Sequence, residues 1–566
     1  MAGWLTQSNA LGVVKVLFWG SIVFSLACVL TDRYLHSLLK THWKLLLFSL
    51  GLVLLWRIPA EGAFFHGMEY EDSYVYTVAG RQLAEHNRIA PSGGELPYSI
   101  NVCSVGSLAS CEQYENYPEH LIGYPYVISM LTRTFGYRPS IGSIANVACA
   151  CFSDMLIFLV CMLVTDDVIV AGSAALIFAV TPVFAVWGLE TSAEPISNGC
   201  MSLILWFCLR YVSARPGDEG RFHALLTWCA FTAILLFSLT VKRENILVAL
   251  LLPIIALIVR ATAKRPPRLP MRYILGVALS AMLALILSFQ MKLFQTMSDE
   301  TVLLHKFPLT PGKLIALLPV FLHSFFIVEW YGGAVILVFI GAIVIWRRKS
   351  LGLFPLIVFV AYVFLYAFHI RSYYELLSGN TSPRSALRFS MNLMSVWSIL
   401  AGVGAAALIK WLSRTRVWER HRVLANRIAV GAVVVIVAVS YGGTTYFRED
   451  VVEDEFRMRI EPSLAALRIA TDDRTKPNYI LTMEPLIPQM YAEPTVDVLS
   501  LPAVNDPVMR QIGFSQGTTG VLYLDEDIHR TPADAERYKD QFEYLHQFPE
   551  STITGNEVYS IIRIVP

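Results

Sequence analysis

Two adjacent carboxylates, Glu71 and Asp72, sit in the run Glu69-Tyr70-Glu71-Asp72-Ser73-Tyr74, directly after a hydrophobic stretch and at the start of a polar segment. Ionised carboxylates are acceptors only, so either residue can serve as a general base for a hydroxyl proton within reach. Two of them together can also hold a metal ion. Most surface carboxylates do neither and simply solvate a loop.

Other polar residues stand out along the chain. His120 opens His120-Leu-Ile-Gly-Tyr-Pro and can bind a metal or a phosphate, or cap a helix. Glu190 and Glu194 precede Pro195 at the head of an apolar run, where the helix dipole favours acidic groups. Lys242, Arg243 and Glu244 interrupt two apolar runs. Burying such charges at membrane depth costs about 2.5–3.5 kcal/mol each on insertion scales. They pair with one another or receive an anion such as a phosphate. Arg388 begins another apolar run and Arg371 ends one. A guanidinium suits bidentate phosphate contact, while snorkelling to the interface is the simpler role and the one preferred for Arg371.

The elements that must position these residues are membrane spans. Of 566 residues, 55% are hydrophobic and only 16% charged, whereas soluble domains carry about 25% charged residues. The composition therefore predicts a polytopic α-helical membrane protein. The net charge of +1 gives no sign of a nucleic-acid partner. Residues 11–30 lack a preceding basic region and are expected to be a retained span rather than a signal peptide.

Apolar stretches long enough to span or nearly span a bilayer occur at 11–30, 44–58, 139–164, 168–188, 195–213, 224–241, 244–260, 272–289, 330–346, 352–369, 388–411 and 428–445. Counting these twelve, the basic clusters fall in alternate connections: Arg33 to Lys44, Arg210 to Arg221, Arg260 to Arg272, Arg347 to Lys349, and Lys410 to Arg427. Short basic loops stay cytoplasmic. The intervening connections are then extracytoplasmic, among them loop 59–138, which holds nine acidic residues, four Arg and no Lys. Within it residues 120–136 look amphipathic and predict an interfacial helix. In such a loop a Cys103–Cys111 disulfide is expected. The other seven cysteines lie in apolar runs as small hydrophobes, with no zinc-type spacing.

After residue 446 the pattern changes. Strands are expected at 478–483, 495–501, 519–525 and 557–564, with helices near 461–471 and 532–547. That divides the chain into a membrane domain, 1–446, and a small extracytoplasmic α/β domain, 447–566. The latter has no Gly-rich phosphate loop.

Taken in order, these features resemble the GT-C glycosyltransferases that use polyprenyl-phosphate-linked sugars, especially those related to protein O-mannosyltransferases and lipid A aminoarabinose transferases. The matching points are Glu71-Asp72-Ser73-Tyr74, His120-Leu-Ile-Gly-Tyr-Pro with Phe135-Gly136 beyond it, Glu194-Pro195, Lys242-Arg243-Glu244 and Arg388-Phe389. The acidic pair is reversed relative to the family order, so position favours Glu71 as base and residue type favours Asp72. The Pro-Pro of the family's His motif is absent.

The resemblance implies an inverting sugar transfer on the extracytoplasmic face. Asp72 or Glu71 would take the acceptor proton, and Arg388, Arg243 and Lys242 would bind the departing lipid phosphate. His120, Glu194 and Tyr74 would lie near the substrate or a metal. A divalent metal is required in some relatives and not in others. The partners implied are a polyprenyl-phosphate sugar donor, a glycan, lipid or protein acceptor, and membrane lipids, in a bacterial inner membrane. A transporter or flippase of a lipid-linked glycan would also need many spans and buried charges. The repeated halves typical of transporters are not evident, however. A catalytically inactive scaffold is the third reading.

Overall fold

A computed structural model of the chain describes residues 7–64, 71–87, 121–181, 184, 191–213, 221–262, 271–290, 315, 334–348, 352–367, 391–413, 460–471, 478–482, 490–491, 496–500, 519–524, 552–555 and 560–564. It is mostly helical. The helices are α1 (Gln7–Thr31), α2 (Arg33–Phe64), α3 (Glu71–His86), α4 (Gly123–Phe135), α5 (Ile141–Thr165), α6 (Val168–Val180) and α7 (Ala193–Ser213). They continue with α8 (Arg221–Val241), α9 (Ile246–Thr262), α10 (Met271–Gln290), α11 (Ala334–Arg348), α12 (Leu353–Ala367), α13 (Met394–Ser413) and α14 (Glu461–Thr471). Single 3₁₀ turns, Arg243–Asn245 and Met391–Leu393, precede α9 and α13.

Among the described residues, five segments are long and apolar enough to cross a membrane: Leu11–Thr31, Arg33–Arg57, Ile141–Thr165, Phe222–Val241 and Met391–Ser413. Every stretch expected to span as far as 388–411 overlaps a helix. The twelfth, 428–445, lies outside the described residues. On α1, Val16, Trp19, Val23, Leu26 and Leu30 recur every three or four residues and are all exposed. An outward apolar stripe suits a helix whose solvent is lipid.

The expected connection holding Arg33, Lys40 and Lys44 is instead part of α2. Asp32 alone separates α1 from α2 and makes the turn between them. Its carboxylate accepts from the Leu35 amide at 3.1 Å and takes both arms of the Arg210 guanidinium at 2.9 Å each. Once this cap starts α2, Leu35, Leu38 and Leu46 pack inward and the three basic side chains remain exposed on the same helix. A second tight turn joins α5 to α6. Asp166 adopts a left-handed conformation that closes α5, and the Asp167 carboxylate accepts from the Ile169 amide at 3.1 Å to open α6.

Close crossings depend on glycine. Gly341 of α11 and Gly404 of α13 oppose each other, and a Cβ on either would overlap a backbone carbonyl of the other helix. Two salt bridges share one end of the bundle: Arg210 with Asp32, and Lys410 with Asp167. The Thr31 hydroxyl meets the His223 ring at 2.9 Å at that same end.

Beyond the bundle, β1 (Asn478–Thr482), β2 (Val496–Ser500), β3 (Thr519–Leu524), β4 (Thr552–Gly555) and β5 (Ser560–Ile564) form one sheet in the order β2-β1-β3-β5-β4. The first three are mutually parallel, and β5 runs antiparallel to β3 and β4. The single strand expected at 557–564 is thus the second arm of a hairpin, because Thr552–Gly555 pairs with it. Helix α14 packs against the sheet. The helix expected near 532–547 lies outside the described residues.

Candidate active site

The acidic pair does not lie in a loop. Glu71 and Asp72 are the first two residues of α3, a helix that the length of the polar segment concealed. Helical periodicity of 100° per residue separates the two positions around the axis. Position 72 shares a stripe with Ala79 and Leu83, both buried, whereas position 71 shares one with Val78.

The inner face of α3, with Ser73, Tyr76, Thr77 and Gly80 buried, lies on α4. Gly80 permits the approach: a Cβ there would overlap the Ile128 side chain and lie 3.3 Å from the Pro125 carbonyl. The contact is extended by Tyr76, whose ring meets Tyr124 edge-on at 5.1 Å. The segment expected to form an amphipathic helix is α4, with one face buried and Arg133, Thr134 and Phe135 exposed at its C-terminal end. Its Tyr124, Tyr126 and Ile128 are enclosed by α3, α5 and α8.

From α4 a polar chain runs across this end of the bundle. The Tyr124 hydroxyl donates to Asn146 Oδ1 at 3.3 Å, and Asn146 Nδ2 donates to the Ser192 carbonyl at 3.5 Å, just before α7. Two residues on, Glu194 accepts from Lys242 Nζ at 2.7 Å, with both side chains buried. Asn245 Nδ2 donates to Ser197 Oγ at 2.9 Å and to the Ser238 carbonyl at 3.1 Å. Tyr362 donates to Asn245 Oδ1 at 3.1 Å. Asn198 Oδ1 accepts the Ser395 amide at 2.9 Å, which ties α7 to α13. The groups named here bond to one another across several helices, as a low-dielectric interior favours.

The structure thus brings together two of the residues singled out by sequence, Lys242 and Glu194. The pairing proposed within the triplet Lys242-Arg243-Glu244 is replaced for Lys242 by a cross-helix pair with Glu194. Arg243 is half-buried in the 3₁₀ turn beside them. The side chains of Glu71, Asp72 and Tyr74, and the whole of Cys103, Cys111, His120, Glu190, Arg371 and Arg388, fall outside the described residues. Among the described residues no three His, Cys, Asp or Glu side chains form a metal-binding group. The nearest cation to Glu194 is the ammonium of Lys242, so that carboxylate already has a charge partner in the chain.

Sequence inspection passed over Asn146, Asn198, Asn245 and Tyr362, although amides in apolar helices are a usable signal of interhelical bonding. It also passed over Arg57 and Asp154. Arg57 is fully buried and donates to the carbonyls of Ala179, at 3.5 Å, and Phe184, at 3.1 Å. It therefore closes the C-terminal end of α6. Asp154, in mid-helix, accepts from Ser49 Oγ at 2.6 Å. A lone Arg and a lone Asp in apolar spans were the signal.

No protein-family model matches the chain, and no curated protein does. Solved structures do. ArnT from Cupriavidus metallidurans bound to undecaprenyl phosphate superimposes with a TM-score of 0.56 at 13% identity, over 93% of this chain and 98% of that one. Its apo form gives the same values. The Archaeoglobus fulgidus oligosaccharyltransferase in complex with Zn and sulfate gives 0.50 at 12% identity, over 85% of this chain and 68% of that one. Both neighbours are GT-C glycosyltransferases, the class that the sequence resembles. At these identities the likeness establishes a shared fold.

Proposed function

We propose that the chain is an inverting membrane glycosyltransferase that moves a sugar from a polyprenyl-phosphate carrier to an acceptor hydroxyl. The observation that carries this reading is the placement of α3. The helix that starts with Glu71 and Asp72 is held, through Tyr76, Tyr124 and Asn146, to the same end of the bundle as Glu194 and Lys242. The fold in which this occurs is shared with a transferase bound to undecaprenyl phosphate over nearly its whole length.

In this mechanism the acceptor oxygen attacks the anomeric carbon from the face opposite the phosphate. As the new C–O bond forms, the bond from carbon to the lipid-phosphate oxygen breaks, and configuration inverts. The acceptor proton passes to Asp72, with Glu71 as the neighbouring base or orienting group. Asp72 is favoured by its residue type in the family motif that the chain resembles, and Glu71 by its position there. The lipid phosphate leaves as an anion and needs cations rather than a strong acid. Arg388 and Arg243 are assigned that role. Lys242 contributes through its pair with Glu194, which holds the turn bearing Arg243. His120 and Tyr74 are assigned to the donor's surroundings, and a divalent metal is not required by this scheme.

The positive-inside trend supports a site facing away from the cytoplasm, in a cell-envelope membrane, with twelve spans in residues 1–446 and an α/β domain in 447–566. The sheet order β2-β1-β3-β5-β4 supports the latter.

The test is transfer from a synthetic polyprenyl-phosphate sugar by the purified, bilayer-embedded protein. Asp72→Asn and Glu71→Gln are expected to leave the protein folded, with Asp72→Asn abolishing transfer. Full activity in both variants would sink the mechanism. Arg388→Ala should raise the KM for donor more than that for acceptor.

A further inference from the structure

Helix α3 is held on two sides. Its inner face rests on α4, and its outer stripe, through Val78, packs with Ile460, at the start of α14, and Met490, with Leu464 and Tyr491 beside them. Val78, Ile460 and Met490 are all buried in this contact. That stripe is the one on which position 71 falls.

A polar tie reinforces it. Tyr137, in the turn between α4 and α5, donates its hydroxyl to the Met490 carbonyl at 2.6 Å. The Arg81 guanidinium of α3 stacks 4.5 Å from the centre of the Tyr137 ring, and Arg81 Nε also bonds Glu85 at 2.9 Å. Arg133 of α4 donates to the Leu83 carbonyl at 2.6 Å, closing the far end of α3. Burial pushes the Tyr137 phenol well above the usual tyrosine range, and nearby Arg81 opposes this only in part. The hydroxyl therefore keeps the proton that it donates.

We propose that Ile460, Leu464, Met490 and Tyr491 form a positioning clamp on α3, with Tyr137, Val78 and Met490 as positioning residues that act on the Glu71–Asp72 pair through the helix. These four residues would then set the height and rotation of the acidic pair. A helix of only 16 residues, half of them polar, has little stability of its own. Its geometry is therefore set by what packs on it. A displacement of about 1 Å at a reacting centre can cost about 100-fold in rate. This inference builds on the glycosyltransferase reading for its catalytic consequence, whereas its structural half stands independently.

The experiment uses the full chain in a bilayer mimic, with two readouts: hydrogen exchange of the α3 amides and steady-state transfer. Tyr137→Phe removes only the hydroxyl, Met490→Ala removes the buried side chain, and Met490→Leu keeps its volume. Tyr137→Phe and Met490→Ala should each speed exchange across α3 and lower kcat by about five- to tenfold, as loss of one buried contact implies. The KM for donor should stay constant in both, and Met490→Leu should behave as the parent protein. Unchanged α3 exchange in both variants would overturn the clamp. Faster exchange with unchanged kcat, or a change confined to the KM for donor, would overturn the positioning role. Failure of the parent protein to transfer any sugar would count against the glycosyltransferase reading, while exchange would still decide whether the clamp exists.

Discussion

Lys242 Nζ lies 2.7 Å from Glu194 Oε1, and the two side chains are 9% and 2% exposed. This cross-helix pair joins the head of α7 to the turn between α8 and α9. A buried pair is mutually dependent: each charge makes tolerable the desolvation of the other.

Lys242→Met or Glu194→Gln should therefore destabilise the bundle by about 3–5 kcal/mol each. The double variant Lys242→Met/Glu194→Gln should recover part of that loss. Thermal melts in detergent, arranged as a double-mutant cycle, measure the coupling. Additive losses would mean that the pair is not coupled.

Arg210 grips Asp32 with two bonds of 2.9 Å at the opposite end of the bundle. Arg210→Lys preserves charge but not the planar fork. It should lower the melting temperature while leaving kcat per folded molecule unchanged, since the α1–α2 turn is remote from α3. A fall in kcat without a fall in stability would contradict this.

At the crossing of α11 and α13, the atoms that a Cβ on Gly404 would meet are backbone atoms of Leu337 and Gly341. Backbone cannot rotate away as a side chain can. Gly404→Ala should thus cost more than the ~1–3 kcal/mol of ordinary overpacking. Gly404→Leu should give no monodisperse protein on size exclusion. At Gly12, where no atom lies within 4 Å, Ala should be tolerated or slightly stabilising.

Acid should loosen the α5–α6 turn. Burial raises the Asp167 carboxyl, but the Lys410 ammonium and the Ile169 amide outweigh it and hold the group below its ordinary value of 3.8. A depressed native value means that the stabilisation is fully present above 3.8 and is lost as pH falls through the native value. Melting temperature should accordingly drop more steeply below about pH 4 in the parent protein than in Lys410→Met. Parallel curves would show that the pair contributes nothing.

Much of this architecture was legible because its physical signals are local. Apolar runs near α1, α5, α8 and α13 announce themselves by composition, since a helix in lipid must be apolar almost throughout. The alternation of β-branched residues near 478–482 and 519–524 announces strands. By contrast, α3 was hidden because it packs on α4 and on Ile460 and Met490, contacts that its own sequence does not announce. For the same reason α2 was expected to begin at 44: the start depends on Asp32, whose cap is locked by Arg210, 178 positions away.

The sequence by itself determined a helical membrane protein, the sorting of its charges between two ends, and the order of chemical residues that resembles a sugar-transfer site. Only the tertiary structure decided which partner each charge takes. Lys242 meets Glu194 and not its neighbour Glu244 because the turn at Arg243–Asn245 brings α8 and α9 against the head of α7. Only tertiary structure, likewise, set Glu71 and Asp72 on different stripes of one helix, clasped by residues as distant as Met490. The physical reason is the same in both cases. Hydropathy acts residue by residue and can be read along the chain, whereas partner choice and helix orientation depend on contacts that form only when distant segments meet.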